Sequence, residues 1–212
     1  MMNSEPGDVA VGPLPPGPLG DHVLDLAATG RAGLAALLGD APQRHALFRR
    51  GMRADRFLVA TVNGELAGYL SLKYAGQGPF APSLGDFIRC QGWRRGPHAW
   101  AVFSWIEART QPRPRGAYVY GMDVLKAWRG HKHGRDVGGA LMAAAIEAMT
   151  RLGYTSLDME VRRPTARALA RRAGAVPAVA PRLSLTRLLM ATAGEYERLT
   201  IPLTPEARHG RP

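Results

Sequence analysis

A loop rich in glycine, histidine and arginine precedes an apolar, helix-like segment in the second half of the chain. It runs from Trp128 to Gly139 and has the sequence WRGHKHGRDVGG. The N-terminus of a helix exposes unpaired backbone N–H groups and carries a partial positive charge, and glycines let a phosphate approach closely. The pattern therefore predicts a phosphate or pyrophosphate site. It has neither the spacing of a Walker A loop nor that of a GxGxxG fingerprint.

The basic charge of the protein concentrates around this loop. The chain has 28 Lys+Arg against 17 Asp+Glu, a formal net charge of +11. Residues 126–172 alone hold ten bases and four acids. Such a charge fits an anionic partner, although an arginine-rich composition is also what a GC-rich genome encodes. Because no known nucleic-acid-binding module is recognised, nucleic acid is the less favoured partner.

The overall composition excludes several classes of protein. Hydrophobic residues make up 46% of the 212 residues and charged residues 21%, which is typical of one globular domain. No apolar stretch approaches the length of a membrane span, so no membrane partner is expected. Cys90, the single cysteine, excludes an internal disulfide framework and a cysteine-rich zinc site. The N-terminus lacks the pattern of a secretory signal, so a cytoplasmic location is expected.

Hydrophobic periodicity and turn residues predict a mixed α/β chain. Residues 1–20 contain five prolines and four glycines, which predicts a disordered tail. Asn63-Gly64 predicts the turn of a hairpin. The predicted helices cover 22–38, 41–52, 86–110, 137–152 and 164–173, and the predicted strands cover 57–62, 66–74, 117–124, 154–161, 183–189 and 195–203.

The strand, loop and helix around Trp128 resemble motif A of the GNAT superfamily of N-acetyltransferases. The strand ends at Met122-Asp123-Val124, and Arg129-Gly130 falls where the family has its first Arg-Gly. The segment 134–142 is similar to the family's Gly-Lys-Gly-Ile-Gly-x-x-Leu-Leu, but in another frame. An extra four residues around Gly130–His133 reconcile the two frames. In the second frame Asp136 stands at a glycine position of the family.

A second segment is similar to the part of the family that follows motif A. Here Arg163, Ala166, Leu169 and Gly174 have the family's spacing. Arg163 replaces an Asn, and Ala170 replaces the Tyr that in the family often protonates the leaving thiolate. Because a coenzyme A thiolate is a tolerable leaving group, we expect Ala170→Tyr to be near neutral or mildly stimulatory in turnover.

The resemblance implies a GNAT fold, an α/β architecture with a mixed, mostly antiparallel central sheet whose splayed strands are flanked by helices. It implies an acetyltransferase domain over residues 21–204 with a helical insertion at 81–110. Residues 1–20 would be a disordered N-terminal tail and residues 205–212 a C-terminal tail.

The resemblance also implies an activity, the transfer of an acetyl group from acetyl-CoA, as co-substrate, to a primary amine of a small molecule or peptide by direct attack. The partner would be an amine-bearing acceptor; no metal is expected, and a homodimer is left open. The alternatives are a non-catalytic acyl-CoA-binding regulator and a basic nucleic-acid-binding protein.

Candidate site residues follow from the same resemblance. Asp123, Tyr118 and Glu160 are candidates for acid–base catalysis, with the alternative that Asp123 caps the loop or pairs with Arg129. The candidate cofactor-binding residues are Met122, Val124, Arg129, His133, Gly134, Arg135, Val137, Gly138, Gly139 and Arg163.

Overall fold

The computed structural model describes residues 8–29, 35–109, 115–130, 136–178 and 197–203. The strands are β1 (Val9–Pro13), β2 (Phe57–Val62), β3 (Glu65–Lys73), β4 (Gly116–Val124), β5 (Ser156–Val161), β6 (Val176–Pro177) and β7 (Glu197–Pro202). The helices are α1 (Pro18–Thr29), α2 (Ala35–Leu38), α3 (Ala41–Gly51), α4 (Leu84–Arg109), α5 (Val137–Arg151) and α6 (Pro164–Arg172).

Within the described residues the strands form one sheet in the order β1-β2-β3-β4-β5-β7-β6. Every neighbouring pair is antiparallel except β4 and β5, which are parallel. The predicted mixed, mostly antiparallel sheet is therefore confirmed.

The turn between β2 and β3 has the geometry that its sequence predicts. Asn63 has φ 52° and Gly64 has φ 80°. Two consecutive positive φ angles are what a type I′ hairpin turn requires, and Asn-Gly adopts them with least strain.

The prediction of a disordered N-terminal tail is wrong for the residues of β1. Residues 1–20 were expected to be disordered, yet Val9 to Pro13 pair with β2 in five register positions, from Val9↔Val62 to Pro13↔Leu58. Val9 and Val11 pack against the main core, so the strand buries apolar surface despite its proline-rich surroundings. Pro13 is tolerated because β1 lies at the edge of the sheet.

Separate apolar clusters cover the two faces of the sheet. On one face α5 packs Leu141, Met142 and Ala145 against the sheet, where alternate β5 residues including Leu157 and Met159 meet it. On the other face α1, α3 and α4 meet around a group of aromatic rings, Phe48, Phe57, Phe80, Phe87 and Phe103. The sheet is thus packed on both faces. The edges of its central strands, rather than its faces, are where a binding site can form.

Helix α4 corresponds to the helix predicted at 86–110. Its regular geometry is interrupted at Gly92, whose φ of 77° is left-handed. Its first turn is capped reciprocally, because Asp86 N–H donates to Ser83 Oγ at 3.2 Å and Ser83 N–H donates to Asp86 Oδ2 at 2.9 Å. The hydrogen bond from the Ser83 hydroxyl lowers the pKa of Asp86 below its usual value.

Some predictions fall on residues outside the described ranges. They are the strand at 183–189, the first seven residues and the tail at 205–212. The strand predicted at 195–203 is β7, and that at 154–161 is β5. Among the described residues there is no helix with the length and apolar character needed to cross a membrane.

Candidate active site

The two central strands of the sheet separate part of the way along their length. β4 and β5 pair from Gly116↔Ser156 to Val119↔Met159. Beyond that point β4 stays paired with β3 as far as Val124, but not with β5. The sheet therefore has an opening along the second half of β4.

Backbone groups of β4 face this opening. The carbonyl oxygen of Asp123 faces β3, since a Cβ atom built on Gly68 would lie 2.7 Å from it. Because hydrogen-bonding direction alternates along a strand, the N–H and C=O groups of Met122 and Val124 point the other way, into the opening. The Val124 carbonyl accepts a hydrogen bond of 2.7 Å from Arg129 Nε.

The opening continues into a cleft of about 400 Å³, which we call the β4–β5 cleft. Its walls are the end of β4, the turn that follows, the first turn of α5 and one side of α6. The predicted cofactor-binding residues that line it are Met122, Val124, Arg129, Gly138 and Arg163.

The remaining predicted cofactor residues do not all line the cleft. His133, Gly134 and Arg135 lie outside the described residues. The side chain of Val137 is 1% exposed and belongs to the core, so it offers the cleft at most its backbone. The N–H of Gly139 is within the first turn of α5, where it already has an acceptor in Asp136.

Asp136 caps the helix that was expected to face pyrophosphate. Its Oδ1 accepts a hydrogen bond of 2.9 Å from Gly139 N–H, and its Oδ2 pairs with Arg172 Nη2 at 2.9 Å. A carboxylate satisfies the orphan donors of a helix N-terminus in the same way as a phosphate does. An internal anion thus already occupies the donor that a bound phosphate would use.

Gly138 lies where the first turn of α5 contacts Leu169 of α6. A Cβ atom there would lie 3.0 Å from Leu169 Cδ2 and 3.8 Å from Met122 Cε. The absence of a side chain lets α5, α6 and β4 converge at the floor of the cleft.

Three arginines bring positive charge to the cleft: Arg129, Arg163 and Arg172. Arg163 is exposed at the start of α6 and makes no side-chain cap. Arg129 Nη2 lies 3.2 Å from Asp123 Oδ1. The pairing of Asp123 with Arg129, one of the alternatives for this carboxylate, is therefore present.

The three candidate acid–base residues lie at different positions along β4 and β5. Asp123 is near the end of β4 and lines the cleft. Tyr118 lies in the closed part of the sheet, opposite Lys73 of β3 and Asp158 of β5. Glu160 lies on β5 just beyond the last pair with β4.

Ala170, which replaces a tyrosine of the family pattern, does not face the cleft. It is 0% exposed and packs in the core beneath α6. A phenol at this position would have to displace core side chains before it could reach the cleft.

Sequence reasoning missed a polar cluster on the sheet, formed by Lys73 of β3, Glu107 of α4 and Tyr120 of β4. Lys73 Nζ lies 2.8 Å from Glu107 Oε2, and the Tyr120 hydroxyl donates a hydrogen bond to Glu107 Oε1. No motif links these residues, because they come from three separate elements. The one signal was Lys73, which is the charged residue of the strand predicted at 66–74.

The described residues contain no group of three or more His, Cys, Asp and Glu side chains that could hold a metal ion. Nothing in the described part of the cleft therefore indicates a metal centre.

The comparisons with known proteins identify the family that has this sheet, which opens beside a helix N-terminus. The model of the acetyltransferase (GNAT) family matches residues 34–175. The chain belongs to the GNAT acetyltransferase family. A search of curated proteins finds no match.

Solved structures share the fold at low sequence identity. A Bacillus subtilis acetyltransferase in complex with CoA is 13% identical with a TM-score of 0.52, over 93% of this chain and 100% of that one. An agmatine N-acetyltransferase in its apo form is 16% identical with a TM-score of 0.52, over 91% and 97% of the two chains. The YncA protein of Salmonella typhimurium, solved with its cofactor acetyl-CoA, is 14% identical with a TM-score of 0.50, over 96% and 97%.

Proposed function

We propose that this acetyltransferase moves the acetyl group of acetyl-CoA to a primary amine of a small molecule or peptide by direct attack. The observation that carries the proposal is the open edge of β4, where the amides of Met122 and Val124 face a cleft that ends at the N-terminus of α5. A pantetheine arm carries amides and can pair with such an edge as a strand would. When bound, acetyl-CoA would supply the reactive thioester.

The residues of the cleft fit the phosphates of that co-substrate. Arg129 and Arg163 offer guanidinium groups for charge-assisted hydrogen bonds. Gly138 has no side chain, so a phosphate can approach the first turn of α5 closely. His133, Gly134 and Arg135, together with the first-turn backbone of Val137 and Gly139, complete the proposed phosphate site.

The thioester carbonyl would be polarised by the N–H of Val124, because a fixed donor in a cleft stabilises developing negative charge. Asp123 would assist deprotonation of the amine, with Tyr118 and Glu160 as further candidates for proton transfer. If Asp123 has this role, Asp123→Asn should lower turnover about 10- to 100-fold.

Acetyl-CoA binding and amine acetylation test the proposal separately. Ligand at about 100 times its dissociation constant should stabilise the folded protein by about 2.7 kcal/mol, which a thermal shift detects. Mass spectrometry of a panel of amines and peptides incubated with acetyl-CoA should then show products heavier by one acetyl group. The absence of both a thermal shift and a calorimetric heat at millimolar acetyl-CoA would overturn the proposal.

The alternative is a non-catalytic regulator that binds acyl-CoA. It is favoured by the alanine at position 170, because the family's acid position then has no phenol. Binding of acetyl-CoA without acetylation of any amine would support this alternative.

A further inference from the structure

We propose that the outward side of α4 docks on a membrane surface that carries anionic phospholipids. The inference is independent of the proposed function, because α4 contributes no described residue to the β4–β5 cleft. It replaces the expectation that the protein has no membrane partner, which was based on the absence of a spanning segment. A helix that lies along a bilayer needs no such segment.

The orientation of α4 is fixed by its buried side. After the interruption at Gly92, the residues Gly96, Ala99, Phe103 and Ile106 recur at intervals of three and four, and all four are buried. Residues with this spacing form one stripe of a helix. The opposite side of this part of α4 therefore faces away from the protein.

Tryptophan is concentrated on α4. Trp93 is 78% exposed, Trp105 is 46% exposed and Trp100 is 36% exposed, and the whole chain has four tryptophans. Well-behaved protein surfaces in water carry few exposed tryptophans, whereas the amphipathic indole ring is enriched where a bilayer meets water. At a rise of about 1.5 Å per residue, Trp93 and Trp105 are about 18 Å apart along the helix. The three rings could thus enter one flat interface together.

Positive charge accompanies the tryptophans. Arg94, His98, Ala101 and Trp105 follow one another at intervals of four, three and four residues, and all are exposed. Residues 87–106 contain no Asp or Glu. This side of α4 therefore combines aromatic surface with cationic side chains and, over that span, has no carboxylate of its own.

A groove of about 350 Å³ between α2 and α4 gathers this charge. Arg94, Arg95 and His98 line the groove, and their side chains make no ion pair or hydrogen bond with other described residues. Guanidinium groups bind phosphate oxygens through charge-assisted hydrogen bonds. The groove therefore suits the phosphate of a lipid headgroup.

Gln91 adds a polar contact to the same groove. Its side-chain amide donates to the Leu37 carbonyl at 3.1 Å, while its side-chain oxygen is buried and has no donor among the described residues. A buried acceptor without a donor costs free energy, and a headgroup hydroxyl can supply the missing donor. Phosphatidylglycerol carries both a phosphate and hydroxyl groups, so it is the lipid used for the test.

Charge and shape favour a lipid surface over two other partners. A second copy of α4 would bring arginines together without any carboxylate from residues 87–106 to oppose them, and like charges repel. Single-stranded nucleic acid is held in a groove that follows its backbone, whereas the tryptophans lie on the outer, convex side of a helix. A planar anionic surface can contact the tryptophans and the arginines at the same time.

The test measures sedimentation of the full chain with lipid vesicles. One set of vesicles contains phosphatidylcholine alone, and the other contains phosphatidylcholine mixed with phosphatidylglycerol. Trp93→Ser removes the most exposed tryptophan. Arg94→Gln combined with Arg95→Gln removes two charges from the groove.

The matched controls lie on α5 and α6, which cover the opposite face of the sheet. Leu152→Ser removes an apolar side chain of 57% exposure at the end of α5. Arg151→Gln combined with Arg171→Gln removes two exposed arginines, so the change in net charge is the same.

We expect the wild type to bind vesicles that contain phosphatidylglycerol and to bind phosphatidylcholine alone at least about tenfold more weakly. The Arg94 and Arg95 double variant should lower the partition coefficient about tenfold or more, because each arginine near an anionic surface contributes roughly fivefold. Trp93→Ser should lower it several-fold and reduce the blue shift of tryptophan emission on binding. Binding should weaken as salt rises, and both controls should bind as the wild type does.

Several results would overturn the inference. Failure of the wild type to bind phosphatidylglycerol vesicles would do so and would leave the proposed acetyl transfer untouched. An equal loss in the controls would show that total charge, rather than this side of α4, drives binding. Self-association or binding of a single-stranded oligonucleotide that depends on Trp93, without vesicle binding, would assign the surface to another partner. If Trp93→Ser does not fold, the double variant decides the question, since Arg94 and Arg95 are exposed.

Discussion

Gly138 is the residue at which the cleft can be closed most directly. An aspartate there would bring its Cβ to 3.0 Å from Leu169 Cδ2 and add a negative charge to the first turn of α5. We expect Gly138→Asp to weaken acetyl-CoA binding more than tenfold, equivalent to about 1.4 kcal/mol or more, as measured by isothermal titration calorimetry.

Gly85→Asp is the matched control, because Gly85 is also in the first turn of a helix and its nearest neighbour would be Ser83 Oγ at 3.6 Å. Equal acetyl-CoA affinities in Gly138→Asp and the wild type would mean that phosphate does not bind at this end of α5.

A second prediction at the scale of single residues concerns Asp136. A phosphate that binds at the start of α5 must lie close to this carboxylate. Removal of the negative charge of Asp136 should therefore strengthen the binding of phosphate. We expect Asp136→Asn to lower the dissociation constant for acetyl-CoA several-fold at low salt and less at high salt. The folded protein should lose little stability, because asparagine caps helices about as well as aspartate.

Asp40→Asn provides the control for helix capping alone. Asp40 caps α3 by accepting a hydrogen bond of 2.9 Å from Gln43 N–H, away from the cleft. Weaker or unchanged binding in Asp136→Asn would show that the carboxylate is not a competitor of phosphate.

At the scale of elements, α6 is anchored by Ala170. The sequence predicted that Ala170→Tyr would be near neutral or mildly stimulatory in turnover, but the complete burial of Ala170 leads to a different expectation. A large side chain in a packed core costs about 1–3 kcal/mol, so we expect this loss in the free energy of unfolding and no gain in turnover. Ala143→Tyr, on the exposed side of α5, should be close to wild type in urea denaturation. Stimulated turnover in Ala170→Tyr would contradict this picture of α6.

The elements that the sequence predicted well are those whose signal is local. The Asn63-Gly64 turn and the strand at 154–161 depend on neighbouring residues alone, and both predictions were correct. The burial of Ala170 could not be predicted from neighbouring residues, because a family pattern does not say which side of α6 faces the core. The contact between Glu107 and Tyr120 depends on how α4 packs on the sheet, and no spacing in the chain encodes it.

At the scale of the whole molecule, β1 is part of the sheet rather than a dispensable tail. Val11 packs against the core while Ala10, its neighbour, is exposed. We expect Val11→Asp to lower the free energy of unfolding by more than about 1 kcal/mol, because it places a charge against apolar surface. Ala10→Asp in the same strand should stay within about 0.5 kcal/mol of wild type in denaturant titrations. Equal stability of the two variants would contradict the pairing of β1.

The buried ion pair between Lys73 and Glu107 also bears on how the molecule can be divided. Lys73 belongs to the central sheet, whereas its carboxylate comes from α4, within the segment predicted as an insertion. Excision of that segment would leave Lys73 without its carboxylate. Loss of the carboxylate alone, with α4 in place, would cost about 3–5 kcal/mol, because the ammonium would stay buried. The helix is therefore tied to the sheet by a buried charge pair, and a shortened chain would need a compensating change at position 73.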